Sequence, residues 1–106
     1  MPTTEVNFTQ FLRPNGHRLP TVIGLDDPDG TLATDVELIL AQGVAFETEI
    51  LSIGGMVSLT ITDPVNGDLF AELVPNGPKV PIAVTAMIRR AAEAARRGEW
   101  PRPEDE

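Results

Sequence analysis

The stretch most suggestive of chemistry is residues 27–32, which read DPDGTL. It places two aspartates two positions apart, and only Asp26 separates it from the apolar run of residues 21–25. Asp27 suits the N-cap of a helix, Pro28 suits its first position, and Asp29 is favoured at the positive end of its dipole. These residue types predict the start of a helix, with two carboxylates at that point.

The same six residues resemble the first motif of the haloacid-dehalogenase phosphatases, D-x-D-G-T-L after a strand. In that family the first aspartate attacks phosphorus and the second is a general acid or base beside a magnesium ion. The resemblance implies Asp27 as nucleophile and Asp29 as its partner, in a small metal-dependent phosphotransfer enzyme or enzyme subunit. The family also has a later lysine and a further acidic pair. This chain has one lysine, Lys79, and no adjacent acidic pair at a strand end after it.

Other catalytic and metal-binding groups are scarce. The chain has no cysteine and no tyrosine, and its one histidine is His17, so a thiol nucleophile and the usual zinc sites are excluded. A calcium loop with Gly30 at its sixth position would need Leu25 and Val36 as ligands, and neither can bind the ion. The stretch around Ser52 lacks the first glycine of a nucleophile elbow. We therefore predict no catalytic residue, no metal site and no cofactor.

The net charge of −8 disfavours binding to nucleic acid or to an anionic membrane. The basic residues are concentrated in residues 79–98, whereas most of the acids precede them. Arg89 and Arg96 in this segment are candidates for docking an acidic partner, but a solvated helix face is the favoured explanation. There is no apolar run of about 20 residues and no secretory signal at the N-terminus, so we expect a cytoplasmic protein.

The 106 residues fit one α+β domain, residues 1–100, with an acidic tail over residues 101–106. Apolar and polar residues alternate with the period of a strand in five stretches, and two stretches have helical periodicity. We predict the order β-β-α-β-β-β-α. The simplest packing is a mostly antiparallel five-stranded sheet with both helices on one face.

Strict alternation in the last three strands also predicts which side chains face the helices. It turns Phe46, Ile50, Leu69 and Leu73 towards them. The opposite face then carries apolar and acidic candidates for binding: Phe11, Phe70, Glu47, Glu49 and Glu72. We expect the two phenylalanines to support a homodimer and the three glutamates to bind a basic protein.

Two turn segments carry a second resemblance. Residues 11–18 (FLRPNGHR) and 74–81 (VPNGPKVP), with the strands between them, look like a group of small uncharacterised proteins found in phages and bacterial genomes. The likeness covers most of the chain and implies an origin in a mobile element. The sequence therefore predicts a non-catalytic acidic interaction module, a phage accessory protein that binds a host protein, with mimicry of nucleic acid as one version.

Overall fold

A computed structural model describes residues 2–12, 16–51 and 54–101 of the chain. The order β-β-α-β-β-β-α is as predicted. The elements are β1 (Thr3–Leu12), β2 (His17–Asp26), α1 (Thr31–Leu40), β3 (Ala45–Ile50), β4 (Met56–Asp63), β5 (Gly67–Pro75) and α2 (Val80–Arg96).

The strands form one sheet in the order β2-β1-β3-β4-β5. Three of its pairings are antiparallel, and the central pairing of β1 with β3 is parallel. The parallel pair arises because α1 carries the chain from edge strand β2 past β1 to β3. The prediction of a mostly antiparallel α+β fold is confirmed, with a mixed sheet as the detail that the sequence did not indicate.

Both helices pack on one face of the sheet, here called the inner face, and the opposite face is the outer face. Alternating residues of β1, β3 and β4 fill the inner face, and the rings of Phe8 and Phe46 meet there at 5.3 Å between centroids. The helices contribute the other half of the core. The fully enclosed side chains include Val6, Phe8, Leu25, Leu32, Ile39, Leu59, Ile61, Val84, Met87 and Ile88.

Helix α2 ends in a motif that its sequence predicts. Gly98 has a φ of 70°, which L-residues rarely adopt, and its N–H donates to the carbonyl of Ala95 at 3.2 Å. The N–H of Glu99 donates to Ala94 at 2.8 Å. This pair of bonds is the Schellman arrangement, which satisfies the last helical carbonyls. The predicted acidic tail falls mainly on residues 102–106, outside the described residues.

The predicted facing of β5 is wrong from Phe70 onwards, whereas Leu69 packs against the core as expected. Register pairs Leu59 with Glu72 and Ile61 with Phe70, so Phe70, Glu72 and Val74 share the inner face with the core of β4. The cause is a bulge between Ile61 and Thr62, opposite which β5 carries one extra residue. Strict alternation is out of phase beyond such a bulge, because one added residue exchanges the two faces of a strand.

Phe70 consequently belongs to the core margin and not to an outer contact patch. Its ring lies 5.4 Å from that of Trp100, which is buried at the end of the chain segment that follows α2. Leu73, by contrast, is 56% exposed and lies on the outer face.

We predict that Phe70→Ser destabilises the domain by about 2–4 kcal/mol, because it removes a half-buried ring from the Trp100 contact. The matched change Leu73→Ser on the other face of the same strand should stay within about 0.5 kcal/mol of wild type. Urea unfolding followed by Trp100 fluorescence measures both. Equal effects of the two substitutions would contradict the observed register of β5.

Candidate functional site

The turn between β2 and α1 holds the first sequence-predicted candidate, Asp27, which is 3% exposed. Its carboxylate accepts hydrogen bonds from the hydroxyl of Thr4 at 2.6 Å and from the backbone N–H groups of Leu32 and Ala33, both at 3.0 Å. The helix begins at Thr31 and not at Pro28, so the predicted start is too early. Asp27 nevertheless accepts the first N–H groups of the helix. It does so from three residues before the N-cap position, which Gly30 occupies.

The helix does not begin at Pro28 because of the backbone conformation at Gly30. Gly30 has a φ of 77°, so the chain makes a left-handed step just before the helix. Asp29 lies on the exposed side of this turn, where it accepts bonds from the hydroxyl and the N–H of Thr31 at 2.9 and 3.3 Å. Both carboxylates therefore serve the geometry of the turn.

The hydrogen bonds also set the charge of the two groups. The bond from the Thr4 hydroxyl holds the pKa of Asp27 below its ordinary value of 3.8, with further help from the N–H groups of Leu32 and Ala33, while burial opposes the shift. The bonds from Thr31 lower the pKa of Asp29 in the same way. Both side chains are carboxylates at neutral pH, and the oxygens of Asp27 already accept protein donors.

For the phosphatase-like alternative, Asp27 would need an oxygen directed at a substrate and a metal nearby. Over residues 2–12, 16–51 and 54–101, no three histidine, aspartate or glutamate side chains are grouped so that they could hold a metal ion. The capping contacts explain the motif at residues 27–32 as a turn. The phosphatase resemblance gains no support from the geometry.

The predicted binding residues Arg89 and Arg96 lie on α2, where both bind Asp35 of α1. Asp35 has a side chain only 3% exposed, and Arg89 Nη1 lies 2.8 Å from its Oδ2. Arg96 donates to Oδ1 of the same carboxylate. Seven residues separate the two arginines, so both project from one side of the helix. They join the two helices, which explains them without an outside partner.

Arg90 of α2 and Arg97, which directly follows the helix, also have partners within the chain. Arg90 binds Glu72 at 2.7 Å, and Arg97 binds Glu93 and Glu99 at 3.4 and 2.8 Å. Glu72 was predicted to share the outer face with Glu47 and Glu49. It lies instead on the inner face beside α2, because the β5 bulge reverses the facing of that strand.

The other predicted binding residues lie close together on the outer face. Phe11, Glu47 and Glu49 lie on adjacent strands, since β1 and β3 pair Phe11 with Glu49 and Thr9 with Glu47. The guanidinium of Arg18 stands over the ring of Phe11 at 5.5 Å and binds Glu47 at 3.0 Å. This cluster was found by alternation, except for Arg18, whose part in it depends on the pairing of β1 with β2.

A shallow depression of about 240 Å³ opens on this cluster. It extends across β4 to Asp68 of β5, which sequence reasoning did not single out. Asp68 precedes the bulge, and its facing follows from its pairing with Thr62. The lining is largely polar, and three of its eight residues are acidic: Phe11, Arg18, Glu47, Thr48, Glu49, Ser58, Thr60 and Asp68.

The whole outer face has an excess of carboxylates among the described residues. Cross-strand pairing places Glu5 on it as well, at the other end of β1. The described carboxylates of this face are those of Glu5, Glu47, Glu49 and Asp68, and its described guanidinium, that of Arg18, binds Glu47. The described part of the outer face therefore carries a negative potential.

Within the described part of the chain, neither α1 nor α2 is long and apolar enough to cross a membrane. No protein-family model, no curated protein and no solved structure matches this chain.

We predict that Asp27→Asn lowers the thermal midpoint at pH 7 by about 4–8 °C, the shift expected for one lost capping interaction in a domain of this size. The amide keeps the shape of the carboxylate and presents an N–H₂ group to one of its donors. Because the folded-state pKa of Asp27 is lowered, its stabilising effect is complete above the unfolded value and disappears as pH falls through the folded value. The difference between variant and wild type should therefore shrink as pH falls below 3.8, the ordinary value of the pKa of this carboxyl. A constant difference from pH 7 to pH 2.5 in calorimetry would contradict this role.

The contact of Asp35 with Arg89 and Arg96 predicts that removing the arginines destabilises the domain more than removing the carboxylate. Arg89→Ala with Arg96→Ala leaves a buried carboxylate without its cations, and we expect a loss of about 3–5 kcal/mol. Asp35→Ala leaves two half-exposed arginines that water can solvate, so its cost should be smaller. Urea titration of both variants checks the order. A larger loss of unfolding free energy in Asp35→Ala than in the double arginine variant would show that the arginines do not offset the burial of the Asp35 charge.

Proposed function

We propose that this protein is a non-catalytic binding module whose outer sheet face docks a basic protein. The observation that carries the proposal is the grouping of Glu47, Glu49 and Asp68 on one sheet face, around the depression that also holds Phe11. Both helices pack on the inner face, so the outer face of the described sheet is open across its strands. A sheet face of this kind is flat enough to meet an extended partner surface.

Charge selects the partner class. An excess of carboxylates attracts a basic surface and speeds its association, with a strong dependence on salt. It repels nucleic acid and a second copy of the same face. The homodimer predicted through Phe11 and Phe70 is disfavoured here for that reason, and also because Phe70 lies on the inner face.

The depression supplies the specific part of the site. Glu47 and Asp68 border it with carboxylates, and Ser58 and Thr60 border it with hydroxyls. Arginine and lysine side chains donate to both kinds of acceptor. Arg18 already binds Glu47 and stacks on Phe11, so a cation fits this surface and finds both charge and an aromatic ring.

The resemblance to small phage proteins extends the proposal to a biological setting. A phage accessory protein of this type would bind a host protein, and a host surface that normally holds nucleic acid is basic. Mimicry of nucleic acid by the acidic face is the version that the charge pattern favours. The phage setting rests on the resemblance, whereas the choice of a basic partner rests on the charge of the outer face.

The charge proposal predicts a position-specific loss of binding. The variant Glu47→Gln, Glu49→Gln, Asp68→Asn should weaken binding of an octa-arginine peptide by about tenfold or more at 50 mM salt and flatten its salt dependence. The matched control Glu37→Gln, Glu93→Gln, Glu99→Gln removes the same charge from the helix side and should retain most of the affinity. Titration calorimetry between 50 and 500 mM salt measures both.

Two results would contradict the proposal. Equal weakening by both variants would mean that net charge attracts the peptide without a defined site. No measurable binding by the wild type at 50 mM salt would remove the basis for a basic partner. Once the peptide result is in hand, cross-linking in a host lysate with the same two variants would identify the natural partner.

A further inference from the structure

Arg18 of β2 holds a guanidinium group inside the depression on the outer face. The register of β1 and β2 pairs Arg18 with Phe11, and its Cζ stands 5.5 Å from the centre of that ring. Its Nη1 reaches across β1 to β3, where it donates to Oε2 of Glu47 at 3.0 Å. All three side chains line the depression. The chain therefore supplies, from its own β2, the same chemical group that a basic partner would bring to this site.

The contacts of Arg18 lie at the surface and are weak. Its side chain is 59% exposed, and that of Glu47 is 30% exposed. An ion pair and a cation–aromatic contact that remain in water stabilise little, because solvent screens the charges and the long side chain loses rotamer freedom. The backbone of β2 is held independently, since it pairs with β1 along all ten residues of both strands. The Arg18 side chain can therefore leave the depression while the sheet keeps its structure.

Building on the proposed docking of a basic protein, we propose that Arg18 is an internal competitor at this site. An arginine of the partner replaces it on the ring of Phe11 and the carboxylate of Glu47. In the free protein these two groups hold Arg18, and in the complex they hold the partner's guanidinium while Arg18 turns into water. The apparent affinity is then the intrinsic affinity multiplied by the fraction of molecules in which Arg18 has left the site.

Replacement fits the geometry better than binding beside Arg18. A partner cation gains most from the aromatic ring and from the Glu47 carboxylate, and Arg18 already contacts both. Two cations placed side by side repel one another, as like charges on facing strands do. The hydroxyls of Ser58 and Thr60 and the carboxylate of Asp68 border the rest of the depression, so they can accept the other N–H groups of the incoming arginine.

The same contacts select arginine over lysine in the partner. A guanidinium is planar, so it lies flat on an aromatic ring while its N–H groups donate to several acceptors at once. An ammonium group is a compact, strongly hydrated point charge, and it displaces the stacked guanidinium less well. Octa-arginine should bind the wild type at least about threefold more tightly than octa-lysine at 50 mM salt. Equal affinities of the two peptides would contradict the stacking of the partner's cation on Phe11.

Titration calorimetry with octa-arginine at 50 mM salt tests the competition. Arg18→Gln removes the competitor, and it should tighten binding by about threefold or more. Arg97→Gln is the matched control, because it removes one exposed cation from the helix side, and it should change the affinity by less than about twofold. Arg18→Lys keeps the charge but not the planar group, so it should also tighten binding. Circular dichroism should give thermal midpoints for both Arg18 variants within about 3 °C of wild type, since an exposed ion pair adds little stability.

Nuclear magnetic resonance follows the displacement of Arg18 directly. In the free protein the ring current of Phe11 should shift the side-chain signals of Arg18, because the guanidinium stands over the ring. Unlabelled octa-arginine added to isotopically labelled protein should return these signals to the positions of a solvated arginine. The side-chain signals of Arg97, on the helix side, should stay unchanged.

Binding by Arg18→Gln that is no tighter than binding by Arg97→Gln would overturn the competition, as would ring-shifted Arg18 signals that persist at saturation. Wild-type affinity in Arg18→Lys would also contradict it, because charge alone would then account for the effect of Arg18→Gln. These failures leave the proposed docking of a basic protein intact if the variant Glu47→Gln, Glu49→Gln, Asp68→Asn still weakens binding. Absence of octa-arginine binding by both the wild type and Arg18→Gln would instead overturn both proposals.

Discussion

The arrangement of both helices depends on the buried carboxylate of Asp35. A carboxylate removed from water needs compensating charge and hydrogen bonds, and Arg89 and Arg96 supply both from one side of α2. This contact fixes the rotation of α2 about its axis. With the arginines turned towards α1, the apolar residues between them face the sheet, and Ile82 faces solvent. The division of the molecule into covered and uncovered surfaces follows from that rotation.

Local sequence patterns predicted most of the fold because most of its determinants are local. The hairpin partners, the helical stripes and the glycine that ends α2 each depend on residues within a few positions of one another. The facing of β5 depends on a bulge opposite Ile61, which no alternation pattern in the strand indicates. The start of α1 was missed by three residues, because the left-handed step at Gly30 separates Asp27 from the helix that it caps. The parallel pairing of β1 with β3 is set by the route of α1 and not by either strand.

The candidate site was predictable to the same extent. Phe11, Glu47 and Glu49 lie on strands that keep regular alternation, and the structure places them together on the outer face. The predicted facing of Glu72 was wrong because of the bulge. Asp68 was not predicted as a site residue, because its facing also depends on where the bulge lies. Arg89 and Arg96 look like a solvated or partner-binding stripe in sequence, because their carboxylate lies on another helix more than fifty residues away. Long-range ion pairs of this kind leave no mark in local spacing.

The sheet separates the proposed contact on the outer face from the helices. Both helices pack on the inner face, where Arg89 and Arg96 of α2 bind Asp35 of α1. The carboxylates of Glu47 and Asp68 border the depression on the opposite side. A basic partner bound as proposed would therefore leave the contact between the helices unchanged, and its association would depend strongly on salt.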